Sequence, residues 1–516
     1  MMVQDFLKIH LKQVVCISLY AVFPILFVFF RNEAFIFEGD ISTPISIMLV
    51  AALVLYVGFN FLNKKNTNVT IICILIIWWF LLYGHLYNFI GPASLRHRYF
   101  IPVYSLAFLL LISKVWKINS VPAKLINVIL IMGLVLNLQF FMKMIGMMNR
   151  GNESVTAAKQ SNTSTGNLPD VYYIILDSYP STENLKEYYN YDNSSFTKQL
   201  SDMGFQVLDK ARSNYPYTYF SLSSSLNMEY INYFEDSVSI EKQNEDFPFT
   251  KIRKNKVANY FKSKGYKYVQ FASAYEQLND KTQADLYINN KLRINNFHET
   301  LIQLSVLNCL QLEFYSAGVY DACNYSLNML PKTPEESGPK FVFFHSLTPH
   351  PPHVFDENGN FVYVDPNVEN RYKQKKEYTD QVKFINKKML EIVKQLIAGS
   401  DQEPIIILQG DHGSAGSERF EDEIYWAKYP SKEMLIERYG ILNAMHIPEK
   451  YKMEFPTNHT PVNTFRIIFN NLFNDTLQPL PCKSYFASYR KPYNFKLVNW
   501  DAVSGANADS LVSIEK

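Results

Sequence analysis

IIILQGDHG, running from Ile405 to Gly413, decides how the rest of the chain is read. Its opening residues are apolar without alternation, the pattern of a strand covered on both faces, as strands of parallel sheets are. It then stops on Asp411 and His412, two side chains of the metal-ligating kind delivered at a strand tip, where open α/β sheets keep their chemistry. Asp-His-Gly on its own is equally an ordinary strand-to-loop turn. Three more stretches remove that isolation. DVYYIILDS (Asp170 to Ser178) is a second apolar strand ending in Asp177. FVFFHSLTPHPPH (Phe341 to His353) is a third, running into clustered histidines, and PYTYFSLSSSLN (Pro216 to Asn227) puts Thr218 at the head of a hydroxyl-rich, helix-like segment.

Strand-like and helical runs alternate from there: YYIIL, Ser195 to Met203, YKYVQFA, FVFFHSL, a helix over Tyr378 to Ile397, and PIIILQG. This predicts an α/β fold, a layered α/β/α sheet. No internal repeat or long low-complexity segment interrupts it. Ahead of it, GNESVTAAKQSNTSTGN (Gly151 to Asn167) is small, polar and without periodicity, so it reads as a linker. The expected division is a transmembrane helical part over 1–148, a linker over 149–167 and a catalytic domain over 168–516, a span large enough for a substantial core.

The mean hydropathy of -0.11 averages an apolar N-terminal third with a polar remainder. Apolar runs cover Val14 to Phe30, Ile45 to Leu62, Val69 to Ile90, Tyr99 to Ile112 and Leu125 to Met142. Most approach the roughly 17 to 25 residues that cross a bilayer, which predicts about five transmembrane helices, the fourth short enough to be re-entrant. The first lacks the small-residue cleavage site of a signal peptide. Lys8 and Lys12, Lys64 and Lys65, and Lys114, Lys117 and Lys124 fall in alternate loops, so those loops are expected in the cytoplasm. The N-terminus is then cytoplasmic. The loop with Glu33, Glu38 and Asp40, and everything after Met148, is on the outer side of the cytoplasmic (inner) membrane. Arg96 and Arg98 lie on that outer side against the trend, either anchoring the chain at the interface or gripping an anionic lipid headgroup.

With 50 basic and 48 acidic residues the formal net charge is +2, which gives nucleic acid binding no support. The basic cluster RYKQKKEY (Arg371 to Tyr378) reads as a solvated helix start. Five cysteines make no disulfide framework and show no metal spacing; Cys16 and Cys73 lie in membrane spans, and Cys309 with Cys323 is the nearest outer pair.

In motif order, from about residue 168 to 475, the chain resembles the alkaline phosphatase superfamily, and within it the sulfatase-like membrane branch of lipoteichoic acid synthases and phosphoethanolamine transferases. The resemblance rests on a strand-end carboxylate (Asp177), a nucleophile about forty residues on (Thr218), a PHxP-type histidine (His350) and a late Asp-His pair (Asp411, His412). It implies that Asp177, Asp411 and His412, with Thr218 as fourth ligand, hold one divalent metal ion, Zn²⁺ or Mn²⁺. Thr218 aligns with the first residue of the sulfatase CxPSRxSLL pattern and is implied as nucleophile; Ser221, Ser223, Ser224 and Ser225 are the alternatives. Threonine cannot be converted to formylglycine, which disfavours a true sulfatase. Ser178 stands where many relatives carry a second acidic ligand, which points to a single metal, and Asp177 replaces the glutamate common in the transferases. His350 is implied to protonate the leaving oxygen or hold a phosphate oxygen, and His353 to contact substrate unless it faces solvent. His345 reads as a hydrogen-bonded core residue, His459 as a weak candidate and Arg466 as structural.

The implied activity is transfer of a phospholipid-derived headgroup, phosphoethanolamine or phosphoglycerol, through a covalent Thr218 intermediate to an envelope glycan or glycolipid. Hydrolysis of envelope esters is the alternative reaction, and a non-catalytic scaffold for envelope assembly the alternative from another class. The expected partners are therefore a phospholipid donor, that acceptor and the membrane.

Overall fold

The computed structural model describes residues 2–31, 41–62, 68–90, 96–118, 121–155, 168–237, 246–280, 282–290, 294–310, 314–364, 374–416, 424, 429–451, 453–505 and 511–513. The chain forms two compact units, one of Met1–Lys159 with Ile294–Tyr315, the other of Gln160–Arg293 with Ser316–Lys516.

In the second unit the unbroken apolar runs become the centre of a sheet. Its strands are β1 (Val171–Leu176), β2 (Phe205–Val207), β3 (Lys267–Phe271), β4 (Leu286–Ile288), β5 (Lys340–Ser346), β6 (Ile405–Gly410) and β7 (Asn443–His446), in the spatial order β2-β7-β6-β1-β5-β3-β4. β6, β1, β5, β3 and β4 run parallel, while β7 is antiparallel to both of its neighbours, β6 and β2, so that β2 at the edge points the same way as the central strands. Every residue of β1, β5 and β6 is buried, which is why these segments show no polar alternation. The helices Ser194–Asp202, Thr218–Ser225, Lys256–Ser263, Lys375–Gly399 and Thr464–Phe473 supply the other layers. A small sheet of β8 (Tyr485–Ser488), β9 (Lys491–Val498) and β10 (Val512–Ser513) completes the unit.

One face of the sheet is packed with aromatic rings. Phe261 stacks on Phe341 at 4.6 Å, and Tyr173 meets Phe465 edge-on at 5.0 Å. At the amino-terminal end of the central strands, Lys340 Nζ lies 2.7 Å from Asp170 Oδ2 in a buried ion pair. Burial pushes the Asp170 acid upward, and Lys340 pulls it back. β1 is paired on both sides so that Leu176 lies opposite Ser346 of β5 and Gly410 of β6. The carboxyl ends of the three strands are therefore level, and whatever follows each of them arrives at one place.

The first unit is helical: Met2–Arg31, Ser42–Leu62, Val69–Leu81, Tyr83–Ile90, His97–Trp116 and Ala123–Val155. Four segments, Ile9–Arg31, Ser42–Phe61, His97–Trp116 and Lys124–Ile145, are long and apolar enough to cross a membrane, and the pair Val69–Leu81 and Tyr83–Ile90, bent by 49°, makes a fifth if it acts as one span. These helices fit a membrane-anchored protein. The break thus falls in the third apolar run, whereas the sequence marked the fourth as the irregular one; that fourth run is a full 20-residue helix. The last helix continues to Val155, into the stretch read as linker, and 156–167 lie outside the described residues. So do the acidic loop 32–40, Lys64, Lys65 and Arg371 to Lys373.

The helical unit also claims a segment from far along the chain. Asn296–Leu304 is a helix whose start is secured by a capping box between Asn295 and His298. Phe297 is buried against Phe29 at 5.8 Å, and Leu301 and Leu304 pack into the same cluster. Val306 and Cys309 pack on a second cluster of Tyr83, Tyr87, Phe100 and Tyr104. Gly84 makes the approach possible, since a Cβ there would stand 2.2 Å from the Gln303 carbonyl oxygen.

Candidate active site

Asp177 directly follows β1 and Asp411 directly follows β6, so the shared register delivers both carboxylates side by side. The turn after β1 is tight. Ser178 has φ of 61°, a left-handed conformation uncommon for a side-chain-bearing residue, and it is held from three directions. Its N–H donates to Asp411 Oδ1 at 3.0 Å, its hydroxyl to the Gly413 carbonyl at 3.2 Å, and its carbonyl accepts from the Tyr378 hydroxyl at 2.8 Å. The Ser178 hydroxyl is thus turned onto a backbone carbonyl. The glycines flanking Asp411-His412 admit the neighbouring chain: a Cβ at Gly410 would lie 2.1 Å from the Tyr179 carbonyl oxygen, and one at Gly413 2.0 Å from that of Glu437.

His412 is oriented by its own loop. Nδ1 lies 3.0 Å from the Gly413 carbonyl, which can only accept, so Nδ1 carries the proton and Nε2 presents a lone pair. That Nε2 is 3.6 Å from Asp177 Oδ1 and 3.5 Å from Asp411 Oδ2. One ligand atom from each of the three residues lies within 4.8 Å of the others, all three residues being buried. Both Asp177 oxygens and Asp411 Oδ2 are buried without a hydrogen-bond partner. Orphaned acceptors are rare in a folded interior and call for an ion or water. Two hard carboxylate oxygens and an imidazole nitrogen converging on one point suit a divalent cation. Burial, then the Asp411 charge, push the Asp177 acid well above its ordinary range, against the opposing pull of Arg438 and the Thr218 hydroxyl. Burial, then Arg438, push the His412 imidazolium well below its usual value.

Thr218 opens the helix Thr218–Ser225, and its Oγ1 lies 3.1 Å from His412 Nε2. The alternative hydroxyls are engaged elsewhere. Ser221 donates to the Asp411 carbonyl at 2.7 Å, Ser223 to Pro248, Ser224 to Glu229 and Ser225 to Leu222. Ser221 thereby ties the Thr218 helix to the end of β6.

Two charged residues absent from the sequence-level candidates belong to the site. Arg438, near the end of the helix Lys432–Tyr439, is buried and donates from Nε to the Pro216 carbonyl at 2.6 Å and from Nη1 to the Gly413 carbonyl at 3.1 Å, while Nη2 lies 3.3 Å from His412 Nε2. It links the approach to Thr218 with the loop bearing His412. Glu437, fully buried, accepts from the Ser414 hydroxyl at 3.0 Å and from the Gly416 N–H. The only signal in the sequence was a Glu-Arg pair next to the apolar Met434-Leu435-Ile436.

The other histidines separate. His350 is half-buried; its Nδ1 lies 2.6 Å from the Pro351 carbonyl, so the proton sits there and Nε2 is an acceptor. Burial lowers its pKa to about 4, with Arg438 lowering and Asp411 raising it. His353 does not face solvent: it is buried, with Nδ1 accepting from Gln381 Nε2 at 3.0 Å. His345 is hydrogen-bonded in the core, to Ser273, but its Nε2 also lies 3.6 Å from Asp177 Oδ2. His459 bonds Thr464 at 2.8 Å, and Arg466 holds the Met228 and Gln478 carbonyls. Arg96 precedes the helix His97–Trp116 in the helical unit, where the Arg98 guanidinium lies 4.7 Å from the Tyr99 ring centre. All five cysteines are free thiols, Cys309 and Cys323 included.

The sequence profile of the sulfatase family matches residues 169–464, more than half of the chain. Among solved structures, the C-terminal periplasmic domain of EptC from Escherichia coli, in complex with Zn, is similar at 14% identity and TM-score 0.41, covering 67% of this chain and 96% of that one. The lipoteichoic acid synthase LtaP from Listeria monocytogenes gives 13% identity and TM-score 0.40 over 68% of this chain and 91% of that one. The C-terminal periplasmic domain of phosphoethanolamine transferase EptC from Campylobacter jejuni gives 13% and 0.38 over 61% and 97%. No curated protein sequence matches the chain.

Proposed function

The chain belongs to the sulfatase family of alkaline phosphatase-type enzymes, and on that premise we propose that it is a membrane-anchored, metal-dependent transferase. It takes a phosphorus-containing headgroup, phosphoethanolamine or phosphoglycerol, from a phospholipid onto Thr218 and passes it to a glycan or lipid of the cell envelope. The observation that carries this reading is the Thr218 hydroxyl at 3.1 Å from His412 Nε2, beside three buried carboxylate oxygens without hydrogen-bond partners, both of Asp177 and Oδ2 of Asp411.

Asp177, Asp411 and His412, with the Thr218 hydroxyl, are the residues that would hold a divalent cation. Bound there, it supplies charge neutralisation for phosphoryl oxygens and a lowered pKa for the hydroxyl. The chain's own residues do the rest. Thr218 sits at the positive end of its helix, where developing negative charge is favoured. Its oxygen attacks phosphorus as the bond to the diacylglycerol oxygen breaks, and its proton ends on that departing alcohol. In the second half the acceptor hydroxyl attacks the same phosphorus, the bond to Thr218 breaks, and the acceptor's proton returns to Thr218. His350, neutral and presenting Nε2 as an acceptor, is the residue we assign to carry that proton. The Arg438 guanidinium adds positive charge beside His412. The lysine pattern of the helical unit supports a catalytic unit on the outer face, where donor and acceptor meet at the bilayer surface.

Intact-protein mass spectrometry tests the proposal, using metal-loaded wild type and Thr218→Ala after incubation with mixed bacterial phospholipids. A mass increase confined to wild type establishes the nucleophile, and its size identifies the group transferred. No increase in wild type with metal bound, together with release of free headgroup, replaces the transferase by a hydrolase.

A further inference from the structure

We infer that His345, locked in one tautomer by Ser273, is a positioning residue that directs one oxygen of Asp177 so that the other is left for the metal. This rests on the metal-ligand reading above and assigns a role to a residue that reading does not use.

The arrangement begins at β3, two strands from β1 in the sheet. Ser273 follows the end of β3, and Asn279 fixes its backbone on both sides: the Ser273 N–H donates to Asn279 Oδ1 at 2.7 Å, and Asn279 Nδ2 donates to the Ser273 carbonyl at 2.9 Å. The Ser273 oxygen accepts the Tyr275 N–H at 3.0 Å and lies 2.9 Å from His345 Nδ1. Among the described residues, Nδ1 is the one hydrogen-bonding acceptor placed for the Ser273 hydroxyl proton. Nδ1 therefore accepts and the ring proton is on Nε2.

That Nε2 is buried and has no other hydrogen-bond partner, and the group it faces is Asp177 Oδ2 at 3.6 Å. A donor and an acceptor, both orphaned and both buried, face each other a few tenths of an ångström beyond hydrogen-bond range. Asp177 Oδ1 is the oxygen on the His412 side, at 3.6 Å from its Nε2. The two oxygens thus face different histidines with opposite roles: a lone pair from His412 and an N–H from His345. A ligating carboxylate steadied through its second oxygen binds in one orientation, and loss of such support costs about 10- to 100-fold in metal affinity. Strand pairing makes the arrangement possible, because β1 and β5 are neighbours and Ile175 lies opposite His345.

The test is titration of the full chain in detergent with Zn²⁺ alone and Mn²⁺ alone, using wild type, Asp411→Ala, His345→Leu, His345→Gln and Ser273→Ala. Thermal unfolding of each metal-free protein is the companion measurement. His345→Leu fills the space but cannot donate, so affinity should fall about 10- to 100-fold. His345→Gln retains a donor at the place of Nε2 and should stay within about threefold of wild type. Ser273→Ala should fall between them, because the ring is free to take the other tautomer. Wild-type affinity in His345→Leu overturns the inference, as does equal loss in His345→Gln and His345→Leu. If Asp411→Ala abolishes binding in either case, the metal-ligand reading survives that failure. If wild type binds neither ion, both fall together.

Discussion

Replacing Asp411 by Asn should stabilise the metal-free protein and destabilise the metal-loaded one. The metal-free site holds two buried carboxylates, each close to His412 Nε2 (3.6 and 3.5 Å), with their facing atoms within 4.8 Å of one another. At that separation and an effective dielectric constant of roughly 20, two like charges repel by about 3 kcal/mol. Arg438 offsets part of this, so removing one charge should raise metal-free stability by about 1–3 kcal/mol. Asn keeps a carbonyl oxygen for the N–H groups of Ser178 and His412 that Asp411 Oδ1 now accepts, at 3.0 and 2.8 Å, so the loop need not move. With metal the order reverses. At free metal about 1,000-fold above its dissociation constant, wild type gains about 4 kcal/mol, most of which the variant forfeits. The pH dependence has a definite sign. Burial and Asp411 raise the Asp177 acid above its ordinary 3.8, so metal-free folding takes up a proton there. That contribution is present below about pH 3.8 and is lost as pH rises, so the variant's metal-free advantage should widen towards neutrality. Thermal unfolding of the full chain in detergent, with chelator and with saturating Zn²⁺, reads both limbs. A shift of the same sign in both conditions would refute the reasoning.

Other consequences are local. His459 is buried with its pKa lowered from 6.5 to about 3, so its contribution to stability is complete above pH 6.5 and is lost as pH falls; between pH 6.5 and 5, wild type should lose about 2 kcal/mol more than His459→Gln in denaturant titrations. Gly413→Ala places a Cβ 2.0 Å from the Glu437 carbonyl oxygen, so metal affinity should drop at least tenfold even where a melting curve shows the fold retained. Lys340→Met strands the buried Asp170 charge and should cost about 3–5 kcal/mol, while adding Asp170→Asn should restore most of it, which paired unfolding experiments measure.

The parts of the site that were legible from sequence lie at the ends of parallel strands. Asp177, Asp411 and His412 each end an apolar run, and a buried strand has few other reasons to stop on a carboxylate. Register then does what no local pattern states: pairing Leu176 with both Gly410 and Ser346 makes the ends level. Arg438 was not legible, because a charged residue on a short helix reads as solvent-facing until the Pro216 and Gly413 carbonyls are seen around it. His345 looked like an ordinary core histidine because its bond to Ser273 and its approach to Asp177 link segments distant in sequence. In the helical unit the apolar runs gave the helices, but the bend between Leu81 and Tyr83 falls inside one continuous hydrophobic stretch. The segment Ile294–Tyr315 carries no compositional mark, and its membership of the helical unit depends on packing alone.

That last feature bears on how the molecule can be dissected. A fragment begun at the end of the presumed linker would carry Phe297, Leu301 and Leu304 without the helices that bury them, leaving an adhesive apolar strip on a part meant to live in water. Excising 294–315 and closing the gap with a short glycine-serine bridge would remove the strip and leave every strand of both sheets in place. Expression yield and monodispersity of the two fragments, compared side by side, would show how far this insertion ties the catalytic unit's solubility to its anchor.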